Sequence, residues 1–131
     1  MVALASEAYA VCHSLGITPE AFDGIEPGLY YPPKQRDWAA IHRSLDALVE
    51  RRRRDKKQRS GVWRDLAVRK RRTEVWEHLA PIVRQGEVLG LALPLTRRLV
   101  ERIHDLEEGR AEMSWQHLEE LEALRVDRAN E

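Results

Sequence analysis

The chain has one cysteine, Cys12, so it forms no internal disulfide, and a lone thiol fits a reducing compartment. It has no run of about 18 apolar residues, which excludes a helical membrane span. Neither a basic n-region nor an apolar h-region follows Met1, so no secretory signal is expected and the cytoplasm is the expected location. Seven glycines and six prolines are too few for a collagen-like or low-complexity chain. The glycines, at 16, 24, 28, 61, 86, 90 and 109, fit neither GxGxxG nor GxxxxGK[ST], so no phosphate-cradling loop of either kind is present. The five histidines include no HExxH pair. No stretch alternates apolar and polar residues as a half-buried strand does.

What is present is helical periodicity and charge. A length of 131 residues suits one domain, 1–131, able to hide about two-thirds of its unfolded surface. Hydrophobic residues are 43% and charged residues 34%, a globular and soluble balance. The 22 basic and 22 acidic side chains cancel overall but not locally. Residues 51–72 hold twelve Lys or Arg against two Asp, and the remainder is correspondingly acidic.

The expected fold is all-α, a bundle-like arrangement of five or six helices. Residues 2–15 are broadly apolar and end at Gly16. Residues 17–37 carry Pro19, Pro27, Pro32, Pro33, Gly24 and Gly28, and read as loop with one helical turn after Thr18-Pro19. Asp37 is the expected N-cap of a helix with Trp38, Ile41, Leu45, Leu48 and Val49 on one face, fading near 52–55. A short helix is expected over Trp63–Val68. A longer one runs from Thr73 to Leu89, with Pro81 expected to kink it or loosen its hydrogen bonds. Leu95, Leu99, Val100, Ile103 and Leu106 mark the next, closed by Gly109. Ser114 is expected to cap the last, with Trp115, Leu118, Leu121 and Leu124 inward.

The basic run could neutralise phosphates, which gives sequence-independent binding. It lacks spaced aromatics for base stacking, Trp63 excepted, and the acidic remainder repels a polyanion. A solvated face is therefore preferred, and nucleic acid is not expected as a partner. Glu74 and His78 share a helix face at i, i+4, but two ligands alone make no metal site. Cys12 and the four tryptophans read as packing. The stretch "SGVWRDLAVRKRRTE" (60–74) is the densest in chemistry: a hydroxyl (Ser60), carboxylates (Asp65, Glu74) and cations (Arg69, Arg72), a set that suits a small anion.

That stretch resembles the C-terminal helical domain of the ketopantoate reductase (2-dehydropantoate 2-reductase) family, which carries S-x-x-x-D-[LV]-x…R-x-T-E-[IV]. The matching residues are Ser60, Asp65-Leu66, Arg71 or Arg72, and Thr73-Glu74-Val75. "PIVRQGEVLGLALPLTRRLVERIHDLEEG" is similar to the family's next elements and "EAYAVCHSLGI" to the helix before, so the likeness spans about residues 2–110. Family members reduce ketopantoate to pantoate with NADPH, in a cleft between an N-terminal Rossmann domain and the helical domain. The resemblance implies that Glu74 is the catalytic-site glutamate that holds substrate and a general-acid lysine, and that Ser60 contacts substrate. It implies NADPH and a small 2-oxo acid for the whole enzyme. This chain offers no Rossmann half and no counterpart of the lysine, which is expected before Met1, so no cofactor binding and no turnover are expected from it alone. Asp65 to Glu74 is one residue longer than the common pattern, and Trp76 stands where the family usually has Asp. Without the other half, the apolar first helix is expected to be bare and to drive homo-oligomer formation.

Overall fold

The structure, a computed structural model, describes residues 1–129 and the side chains of residues 1–125. Helix makes up 66% of it and no strand or sheet is present among the described residues, so the fold is all-α. Among the described residues six α-helices follow one another: α1 (Val2–Ser14), α2 (Trp38–Arg53), α3 (Gly61–Arg64), α4 (Val75–Val88), α5 (Pro94–Glu107) and α6 (Gln116–Ala129). A π turn, Asp65–Arg69, continues α3, and 3₁₀ turns span Pro27–Leu29 and Pro33–Gln35. The chain divides into two compact units, Met1–Gln58 and Arg59–Glu131.

Three of the helix ends are written as glycine. Gly16, Gly90 and Gly109 have φ between 67° and 69°, a left-handed conformation that is nearly free for glycine and costly for residues with a Cβ. Each closes a Schellman motif. Ile17 N donates to Cys12 O (2.9 Å), Leu91 N to Gly86 O (2.8 Å) and Arg110 N to Asp105 O (2.8 Å).

In the first unit Asp37 caps α2 as its side chain accepts from Ala40 N at 3.0 Å. Ile41, fully buried, joins Val11 and Tyr30 in the core. The loop is tied down by polar atoms: Ser6 Oγ donates to Tyr30 O (2.8 Å), and Arg36 Nε donates to the same oxygen (2.9 Å). The helical turn expected after Thr18-Pro19 does not form. The loop instead makes its tight turn at Asp23-Gly24, both at positive φ, with Phe22 and Ile25 exchanging hydrogen bonds across it. That is the backbone of a type I′ turn, for which Asp-Gly is a favoured pair. In α1 only Ser6 and Val11 are buried, so the helix is half-covered rather than enclosed.

In the second unit α4 packs on α5 and α5 on α6. Ala80, Val83, Leu93, Leu95 and Val100 are buried between them. α4 runs on through Pro81, which deprives Glu77 C=O of its helical donor without ending the helix. Gly86 lets α4 lie against Leu93: a Cβ there would stand 2.5 Å from Leu93 Cδ1. The expected inward face of α6 is only half right. Leu121 and Leu124 are partly covered, but Trp115 is 80% exposed and Leu118 54%. Trp38, expected as packing, is 50% exposed and lies beside the Arg36 guanidinium.

Candidate functional site

The stretch 60–74 folds as a scaffold that buries some of its polar residues and presents others. Ser60 is the N-cap of α3, its Oγ accepting from Trp63 N at 3.1 Å. A hydroxyl that accepts this bond keeps its own proton to donate. The helix then widens into the π turn and stops at Lys70, a lysine in the left-handed region (φ 51°).

Asp65 anchors that turn. It is 8% exposed and accepts from Arg69 Nη1 and Arg71 Nε, both at 2.9 Å. Arg71 N also closes onto Asp65 O at 3.0 Å. Hydrogen bonds from Arg69 and then Arg71 hold the Asp65 carboxyl below its ordinary value of 3.8. Arg110 first, and Arg102 with it, do the same for Asp105 on α5.

Thr73 is the second anchor, also 8% exposed. Its N–H and its hydroxyl both donate to Glu107 Oε1 on α5, at 2.8 and 2.6 Å. Its Oγ1 accepts in turn from Val75 N at 3.2 Å, at the start of α4. Glu107 thus fixes the entry to α4 from 34 residues away.

Glu74, the next residue, is the N-cap of α4 and points outward, with its side chain 85% exposed. A carboxylate is favoured there by the helix dipole. His78 Nε2 lies 3.8 Å from Glu74 Oε2, as the i, i+4 spacing implied, and is itself exposed. Ser60 and Glu74 occur in the same unit but with separate partners, Trp63 N for one and His78 for the other. Among the described residues no group of three or more His, Cys, Asp or Glu is arranged to hold a metal ion.

Half of the cations in the basic run are paired with acids, some nearby in sequence and some distant. Arg51 and Arg52 hold Asp23, Arg53 holds Glu50, Arg69 and Arg71 hold Asp65, and Arg72 lies 3.6 Å from Glu108. Arg59 sits over the Trp63 ring at 4.8 Å. Asp65–Arg69 is an i, i+4 pair and was legible in the sequence. The Thr73–Glu107 clamp was not, because nothing local marks Glu107 as the partner.

The aspartates set an acid limit on this scaffold. A folded-state pKa below the unfolded one adds stability that is full above the unfolded value, and that is lost as pH falls through the folded value. The ordinary value of both groups is 3.8, so the loss falls below about pH 4. Urea unfolding midpoints measured down to pH 2 are expected to drop over that range. In Asp65→Asn the drop is expected to be shallower. An equally steep drop in the variant would mean that Asp65 carries none of it.

No helix among the described residues is long and apolar enough to cross a membrane. Comparison with protein-family models, with curated proteins and with solved structures gives no match to this chain.

Proposed function

We propose that the chain is the helical, substrate-binding part of a ketopantoate-reductase-like, NADPH-dependent oxidoreductase that reduces a small 2-oxo acid. The observation that carries this reading is the division of labour within one motif. Asp65 and Thr73 are buried and hydrogen-bonded within the unit, while Glu74 between Thr73 and α4 is exposed to solvent, with an exposed histidine beside it. A segment whose neighbours are fixed in this way roots one carboxylate at a defined point at the head of α4, open to a ligand. The π turn supports the same reading. Its i→i+5 ring takes up one more residue than an α-turn, in the stretch where this chain is one residue longer than the family's pattern.

In this reading the cofactor supplies the hydride, and a Rossmann half of the ketopantoate reductase kind supplies the general acid and the nucleotide cradle. Glu74 orients the lysine ammonium or a substrate hydroxyl, and the free Ser60 proton is available to a substrate oxygen. The test is NADPH consumption with ketopantoate, by the chain joined to a nucleotide-binding half of this family. Turnover above that of either half alone is expected, and none at any ratio would oppose the proposal. A polyanion-binding module is the weaker reading, since six of the twelve cations in 51–72 already hold acids.

The reading includes self-association. Val11 is buried within the first unit, so the face left for a second copy is the end of α1, where Leu15 and Ile17 are 44% and 52% exposed. Light scattering over a concentration series is expected to show a dimer or larger species, returned to monomer by Leu15→Glu with Ile17→Glu. A monomer throughout, or an oligomer that ignores both changes, would contradict it.

A further inference from the structure

A cavity of about 620 Å³ opens in the second unit, between the π turn, the end of α5 and the connection to α6. It contains neither Ser60 nor Glu74, and so is separate from the site proposed above. Its volume falls among pockets that hold small molecules, about 300–1,000 Å³. Its surface divides by chemistry. Leu66, Ala67, Leu106, Ala111 and Met113 supply apolar surface, and Met113 is 50% exposed there.

The charged lining is of both signs, and part of it is bonded within the scaffold. Arg71 donates through Nε to Asp65, which Arg69 shares, and Glu107 Oε1 accepts from Thr73. The other two charged residues have no such bond. Lys70 and Glu112 both line the cavity, both are exposed, and neither makes an ion pair with a described residue. They do not neutralise each other, although each lines the same space. Lys70 is moreover held at φ 51°, a conformation that disfavours a residue with a Cβ and that the Arg71 N–Asp65 O closure imposes. The fold thus places one unpaired ammonium and one unpaired carboxylate beside an apolar surface.

The geometry points to a binding site for a small apolar amino acid: its carboxylate meets Lys70, its ammonium meets Glu112, and its side chain lies on Leu66, Leu106 and Met113. A simple anion would satisfy Lys70 and leave Glu112 facing like charge. A simple amine would do the reverse. Only a zwitterion with an apolar body uses all three surfaces, and each exposed charge pair adds a modest share.

The test is titration of the whole chain with leucine by heteronuclear NMR, beside isoamylamine, which lacks the carboxylate, and isocaproate, which lacks the ammonium. Saturable shifts are expected around Leu66–Arg71 and Gly109–Met113, with leucine binding about twofold to fivefold more tightly than either analogue. Lys70→Met should remove the advantage over isoamylamine, and Glu112→Gln the advantage over isocaproate. Both positions are exposed, and Lys70→Met keeps a Cβ at the same φ, so unchanged circular dichroism is expected. Leucine that binds no better than isocaproate or isoamylamine, shifts that leave this cavity, or variants that bind leucine as before would each overturn the assignment. The outcome is independent of NADPH turnover, so it separates this site from the reductase reading.

Discussion

Under the proposed function, Glu74→Gln in the chain joined to a nucleotide-binding half of the ketopantoate reductase family is expected to lower kcat about 10²–10⁴-fold, the usual loss for one positioned acid–base or electrostatic group. The amide keeps the shape of the side chain and loses its charge. The fold depends little on that charge: it adds about 0.3–1 kcal/mol at the head of α4 through the helix dipole, while the side chain is 85% exposed and the entry to α4 is held by Thr73. A large loss of activity with circular dichroism unchanged and melting temperature little changed would therefore belong to chemistry and not to folding. The split between kcat and KM is informative. Orientation of the general-acid lysine acts in the transition state and lowers kcat, whereas a contact made equally in the ground state raises KM alone. A variant as fast as the parent would remove Glu74 from the site.

Glu107→Ala is expected to cost about 2–4 kcal/mol of stability, from two donors on buried Thr73 that lose their acceptor at once. The Thr73 N–H and hydroxyl both end on Glu107 Oε1, at 2.8 and 2.6 Å, and Thr73 is 8% exposed, so water is poorly placed to replace it. Glu107→Gln keeps an acceptor oxygen in the same place and should recover most of the loss. The pair of variants, compared in urea, separates lost hydrogen bonding from lost side-chain packing. Because Thr73 adjoins Glu74, Glu107→Ala should also lower activity in the assembled enzyme, through a carboxylate less well held. If Ala and Gln behave alike, the clamp is not what fixes this corner.

Helix positions were legible in the sequence wherever a local signal exists. Asp37 caps α2, and glycine closes α1, α4 and α5, because an N-cap acceptor and a left-handed residue are properties of one position. Apolar spacing marks a face but not what covers it, and so Trp115, Leu118 and Trp38 were expected inside and are exposed. Asp-Gly in "FDGI" carries a hairpin-turn signal that proline density in the loop obscures. The candidate site divides in the same way. Ser60 as a cap and the Asp65–Arg69 pair are local, whereas the Glu107 clamp and the cavity beside Lys70 exist only once α5 has packed. Pro81 shows propensity overridden by packing, since α4 carries buried Ala80, Val83 and Gly86 around it.

The most direct measurement on this chain is a ketopantoate titration followed by heteronuclear NMR. For a helical domain tested by itself, binding is expected to be weak, on the order of millimolar. The predicted result is a saturable set of shifts at Thr73, Glu74 and Val75 and at Ser60 to Trp63, lost in Glu74→Gln while the rest of the spectrum is unchanged. Shifts elsewhere, or the same shifts in Glu74→Gln, would contradict the assignment of substrate binding to this motif.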